Sequence, residues 1–182
     1  MKLRALVTAA LLVAVGVVVN LLIRIPIFPW APFLEYSPAD VPVLLGTFAL
    51  GPFFGGLIGL LRALIAISFG TGGVVGAVMD TATIVTLAVV AGLIYSQMKT
   101  RKGAVIALVG GSLAMVAVAI ALNYFWALPV YLGVPREQIA GLIWTAILPF
   151  NVVKATLNAT IVFFLYKPLS HILHGRKVAA PH

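Results

Sequence analysis

Five apolar blocks, at 3–23, 41–69, 74–96, 104–131 and 140–166, dominate this chain and leave only short polar connections between them. One helical bilayer crossing needs ~20 such residues. Composition agrees: 63% of residues are apolar and 9% charged, against roughly 25% charged in soluble chains, and the mean hydropathy is +1.17. The 182 residues therefore read as a single membrane domain, 1–182, whose architecture is set by the bilayer and not by a water-excluding core. Cysteine is absent, which excludes disulfides, thiol chemistry and cysteine-held metals.

The block 41–69 decides the span count. Its 29 residues are too many for one ordinary crossing and few for two, and Gly51-Pro52 interrupts it where proline breaks or kinks a helix. Basic residues cluster at Lys2 and Arg4, at Lys99, Arg101 and Lys102, and at Lys167, Arg176 and Lys177. Cytoplasmic loops carry the excess of Lys and Arg, so even numbers of crossings must separate these clusters. A hairpin over 41–69 satisfies that condition; a single span exports the densest cluster. The expectation is an all-α integral membrane protein with six transmembrane helices, near 3–23, 39–51, 52–69, 74–97, 103–127 and 140–170, and both termini cytoplasmic. Eight of the twelve basic residues then lie inside, Arg24 and Arg136 outside, and Arg62 and Lys154 within the membrane. The net charge of +8 thus reads as topology and not as a nucleic-acid surface. The first block is longer than a signal-peptide core and has no small-x-small cleavage pattern, so it reads as a retained span. Gly51, Gly55 and Gly59 give a smooth face for close helix packing.

Lysine at membrane depth is expensive, costing at least ~3 kcal/mol, so Lys154 must face protein, water or a ligand. Asn151 and Asn158 share its helix face. Asp80, Asn123 and Tyr124 fall at a similar outer depth on two other helices, and Asn20, Arg62, Thr81, Thr83, Thr86 and Thr156 complete the intramembrane polar set. Above them lies the loop Arg24 to Asp40, with four prolines and Phe28, Trp30, Phe33 and Tyr36, either an interfacial aromatic belt or a shaped lid. A tight Gly70-Thr71-Gly72-Gly73 connection is the second outer loop. Two readings of the polar groups stand side by side. Asp80 and Lys154 form a neutralised couple among interhelical hydrogen bonds, or the groups line a pocket open to the extracellular side.

Catalytic sets are missing from the pattern. The three histidines lie past the last span, no serine stands with histidine and acid, and no Walker-type loop or metal-ligand spacing is present. Neither an enzyme nor a metal site nor a resident cofactor is expected. Carboxamides present a donor and an acceptor side by side, which suits a ring edge carrying adjacent carbonyl and N–H groups. Aromatic and aliphatic walls suit the flat faces of such a ring.

Four stretches carry a family resemblance. They are Asp40-Val-Pro-Val-Leu-Leu-Gly-Thr-Phe-Ala-Leu-Gly-Pro52 continuing to Arg62, Gly70-Thr-Gly-Gly73 with Ala91-Gly-Leu-Ile-Tyr95, Leu122-Asn123-Tyr124-Phe125 ahead of Leu128-Pro129-Val-Tyr131, and Pro149-Phe150-Asn151-Val-Val-Lys154 ending in Phe164-Leu-Tyr166-Lys167. In order and spacing the chain resembles the riboflavin-specific substrate-binding (S) subunits of the energy-coupling factor (ECF) vitamin transporters.

The resemblance implies a six-helix fold, a pocket capped by the loop after the first helix, and riboflavin as bound substrate. It implies that Asn123, Asn151 and Lys154 hold the flavin ring edge and nearby polar atoms. Asp80, Thr71, Tyr36 and Tyr124 are further candidate contacts that the resemblance does not itself assign. It also implies partners: a transmembrane coupling subunit and two ATPase subunits, since this chain has no nucleotide motif. Ala5 with Ala9 and Ala10 with Ala14 form small-residue steps that permit close helix approach. The spacing alone fits packing against an internal neighbour equally well; by resemblance they are the docking face for the coupling subunit. The expected function is capture of riboflavin for an ATP-driven importer in a prokaryotic cytoplasmic membrane. An S subunit for another vitamin, or a stand-alone proton-coupled transporter working through Asp80 and Lys154, are the alternatives.

Overall fold

A computed structural model describes residues 2–69 and 73–174; Thr71 and its loop, with Arg176 and Lys177, lie outside the described residues. Helix α1 (Lys2–Leu22) leads into strands β1 (Ile25–Pro26) and β2 (Glu35–Tyr36), followed by α2 (Asp40–Leu50), α3 (Pro52–Ser68), α4 (Gly73–Met98) and α5 (Arg101–Leu122). Then come a wide π turn, π1 (Asn123–Ala127), α6 (Leu128–Leu132), α7 (Arg136–Leu142), a second π turn, π2 (Ile143–Ile147), and α8 (Leu148–His174). The expectation of an all-α chain needs one correction. Ile25 pairs with Tyr36 and Pro26 with Glu35 in a short antiparallel ladder. That ladder closes the connection after α1, because prolines on either side disfavour helix there.

Among the described residues, four helical stretches are long and apolar enough to cross a membrane: Leu3–Leu22, Gly73–Met98, Arg101–Leu132 and Arg136–Leu165. Helices α2 and α3 are shorter, with 11 and 17 residues. They meet at Gly51, whose φ of 96° is open only to glycine without strain. The Gly51 N–H closes α2 on Thr47 O at 2.9 Å, and Pro52 opens α3 at the position where its missing N–H costs nothing. Thr100 caps α5 by accepting the Gly103 N–H at 3.0 Å.

Helix α4 packs along α3 and α5, α1 covers α2 and α3, and α8 packs on α5 and α2. The main core is built from Val13, Val17, Val43, Leu44, Ile58, Ile84, Leu87, Met115 and Val162. Close approach matters at Gly92, where a Cβ would come 2.7 Å from the Pro52 Cα. A smaller cluster of Leu128, Ile139, Ile143 and Ile147, with Leu34 and Tyr124 against it, holds the two π turns together.

The π turns have a local cause. Each is followed by a Leu-Pro pair, Leu128-Pro129 and Leu148-Pro149. Inside a helix the proline ring clashes with the carbonyl four residues earlier. Widening the preceding turn relieves that clash: Leu128 N–H reaches back five residues to Asn123 O, and Leu148 N–H to Ile143 O. One wide turn begins at Asn123, and the other ends one turn before Asn151.

Candidate functional site

A cavity of ≈ 380 Å³ opens among β2, α4, π1, α6 and α8. Asp80 and Thr83 come from α4, Asn123 from π1, and Asn151 and Lys154 from α8; Phe33, Met79, Leu128, Tyr131 and Phe150 supply apolar wall, and Arg24 and Glu35 complete the loop side. Asn123 and Asn151 are anchored alike. Each donates an Nδ2–H to the carbonyl one turn back, Ala119 O and Ile147 O, both at 2.8 Å. That bond fixes the rotamer and leaves each amide an acceptor and a second N–H for a ligand.

Behind the cavity lies a charged network joining four helices. Arg62, which is 1% exposed, bonds through one NH2 group to Asp40 Oδ1 at 3.2 Å and Asp80 Oδ2 at 2.8 Å. Lys154 Nζ lies 3.1 Å from Asp40 Oδ2 and 3.7 Å from Asp80 Oδ1. Asn158 Nδ2–H donates to Asp40 Oδ2 at 3.1 Å, and its own Oδ1 accepts from the Tyr36 hydroxyl at 3.1 Å. Two cations and two carboxylates thus neutralise one another, as ions removed from water must. Burial, helped by the Asp40 carboxylate and opposed by Lys154, pushes the Tyr36 phenol above its ordinary value.

The two readings of the polar set merge here. Asp80 and Lys154 are paired, and both also line the cavity. Asn151, Lys154 and Asn158 share a face of α8, but Asn151 turns to the cavity and Asn158 to the network. Tyr36 reaches the site through Asn158 and is not among the cavity-lining residues; Tyr124 packs against the π-turn cluster and the edge of Phe125 at 5.0 Å. The threonines at 81, 83, 86 and 156 satisfy themselves on carbonyls one turn back. Asp40 is the member the sequence did not single out: it entered only as the end of the outer loop and the first residue of a family-like stretch. A signal was present: two cations within the membrane demand two anions, and only four acidic residues exist to supply them.

A second, polar cavity of ≈ 150 Å³ adjoins the first, sharing Arg24, Phe33, Glu35, Gly76 and Asp80, and extends to Asn20 and Ser37. Over both lies the loop 24–39. Arg24 Nε–H bonds to Asn20 O at 2.9 Å, and its NH1 pairs with Glu35 at 3.3 Å. Phe28 stacks on Trp30 at 4.9 Å, and Phe33 meets Tyr131 of α6 at 6.0 Å.

Of the four alanines of α1, Ala9 is buried in the core, Ala5 is half-buried, and Ala10 and Ala14 are exposed. The exposed pair sits among Leu6, Leu11, Val15 and Val18, also exposed.

Long apolar helices enclosing a cavity with a charge-balanced floor define a helical membrane protein with a built small-molecule site. The chain belongs to the family of ECF transporter substrate-specific components, whose model matches residues 4–166. It is 29% identical over 175 residues to the riboflavin transporter RibU of Staphylococcus aureus (strain TCH60), covering 93% of this chain and 92% of that one. Against the riboflavin transporter RibU of Streptococcus thermophilus (strain ATCC BAA-250 / LMG 18311) identity is 29% over 159 residues, covering 81% and 74%. A solved S component of a bacterial ECF transporter superposes with a TM-score of 0.83 at 29% identity, covering 95% of this chain and 99% of that one.

Proposed function

We propose that this chain is the riboflavin-binding S subunit of an ATP-driven ECF importer in the cytoplasmic membrane. One observation carries the reading. Two anchored carboxamides, Asn123 and Asn151, face one cavity with Lys154 and Asp80, between apolar walls that include Phe33, Met79 and Phe150. The flavin ring has a carbonyl, N–H, carbonyl edge that such amides match, and flat faces that such walls cover. Its polyhydroxyl side chain suits the adjoining polar cavity at Asn20 and Ser37. Tyr36 acts through Asn158, Tyr124 by packing, and Thr71 from the second outer loop. The names of the two relatives support the same substrate.

In this reading the single domain crosses the membrane six times, with α2 and α3 as a short hairpin, both termini cytoplasmic and the cavity opening outward beneath the loop 24–39. The basic clusters support that orientation. ATP is hydrolysed on two partner subunits, and a coupling subunit docks on α1. The test of substrate is direct: the purified chain in detergent, titrated with riboflavin, should show saturable quenching of Trp30, Trp126 and Trp144. A protein that ignores riboflavin but answers to another vitamin overturns the substrate and leaves the family intact.

Docking has its own expected result. Because Ala9 packs in the core, the exposed pair is the one to enlarge. Ala10→Leu with Ala14→Leu should leave riboflavin affinity unchanged and slow ATP-dependent uptake in vesicles containing the full complex. Uptake at the wild-type rate removes this face from the interface.

A further inference from the structure

Each charged side chain lining the cavity, among the described residues, is held within 4 Å of an opposite charge. Arg24 pairs with Glu35 at 3.3 Å, Asp80 with Arg62 at 2.8 Å, and Lys154 with Asp40 at 3.1 Å. Three cations and three carboxylates balance, so the wall offers no surplus charge to a ligand. Arg24, Glu35, Asp80 and Lys154 line the cavity, and Arg62 and Asp40 stand behind it. Of those two, Asp40 is the one that touches the cavity's lysine: its Oδ1 is engaged by Arg62 and its Oδ2 by Lys154 and Asn158.

We propose that Asp40 is a specificity-determining residue: by cancelling the charge of Lys154 from behind, it makes the cavity electroneutral and selects an uncharged ligand over its phosphorylated form. This rests on the riboflavin reading. A phosphate monoester carries about −1.5 to −2 charges at pH 7. Drawn in at the end of the polyhydroxyl chain, beside Asn20 and Ser37, it would lose water and find Arg24 committed to Glu35, and Arg62 and Lys154 committed to Asp80 and Asp40. The uncharged vitamin meets no such cost. Removing the Asp40 charge while keeping its shape leaves Lys154 and Arg62 sharing Asp80 alone, with one positive charge in excess.

The experiment is a titration of wild-type protein, Asp40→Asn, Lys154→Gln and the double variant with riboflavin and with its 5′-phosphate, read by tryptophan quenching at one fixed salt concentration. The readout is the ratio of the two affinities, which a purely structural role for Asp40 would not move. For Asp40→Asn the ratio should shift toward the phosphate by roughly tenfold or more. Lys154→Gln, which leaves one excess negative charge, should shift it the other way, and the double variant should return toward the wild-type ratio. If Asp40→Asn does not fold, the Lys154→Gln ratio alone decides. Equal weakening of both flavins by either single variant overturns the proposal. Wild-type protein that binds neither flavin overturns the riboflavin reading itself, a separate result.

Discussion

Arg62→Ala is expected to lower the stability of the detergent-solubilised protein by about 3–5 kcal/mol, the usual cost of removing one partner from a buried ion network. Arg62 is 1% exposed and satisfies two carboxylates from two different helices. Its methylene stem lies against α1, where a Cβ on Gly16 would come 2.8 Å from Arg62 Cδ. The alanine variant therefore loses packing as well as charge. It also leaves Asp40 and Asp80 with Lys154 alone, at 3.1 and 3.7 Å. A thermal melt of the two proteins measures the loss. The companion variant Arg62→Ala with Asp80→Ala removes the stranded carboxylate and should recover part of it, because the remaining Asp40–Lys154 pair is again neutral. A single variant as stable as the wild type, or a double variant worse than the single, contradicts this account of the network.

The second large effect is on binding. Asn151→Ala should weaken riboflavin by about 1–3 kcal/mol, the cost of leaving a ligand polar group unpaired, which is roughly 5- to 150-fold in Kd. The variant should fold normally, because the lost Nδ2–H bond runs only one turn back along the chain, from α8 to Ile147 O at the end of π2. That separates it from Arg62→Ala, whose damage is to the scaffold. Measured by quenching titration, an unchanged Kd with an unchanged melt takes Asn151 out of the site.

The membrane class was legible because hydrophobicity is a property of consecutive residues, and so was the break at Gly51-Pro52, where backbone chemistry acts on its immediate neighbours. The same holds for Lys154: a cation in an apolar run must be compensated wherever it lies, so its importance needed no coordinates. Asn123, Asn151 and Asp80 were legible as polar groups at one depth, and the structure places all three around one cavity with Lys154.

Other features depended on partners distant in the chain. Asp40 reads as the end of the outer loop until Arg62, Lys154 and Asn158 surround it. Tyr36 is a candidate contact in the sequence, and only the fold gives its hydroxyl a partner in Asn158, 122 residues away. Ala5, Ala9, Ala10 and Ala14 read as one docking stripe, but the rotation of α1 against α2 and α3 sends Ala9 inward and leaves Ala10 and Ala14 out. The wide turns at 123–127 and 143–147 answer to Leu-Pro pairs in the sequence, although their consequence, the placing of two asparagines on one cavity, belongs to the packing of α5 through α8.

By itself, then, the sequence determined that the chain is a helical membrane protein and which polar groups had to be accounted for, since both follow from the cost of putting a residue into hydrocarbon. Only the tertiary structure decided which of those groups neutralise one another and which remain to meet a ligand. The physical reason is range: burial acts residue by residue, whereas an ion pair or hydrogen bond exists only when folding brings its two halves within about 3 Å.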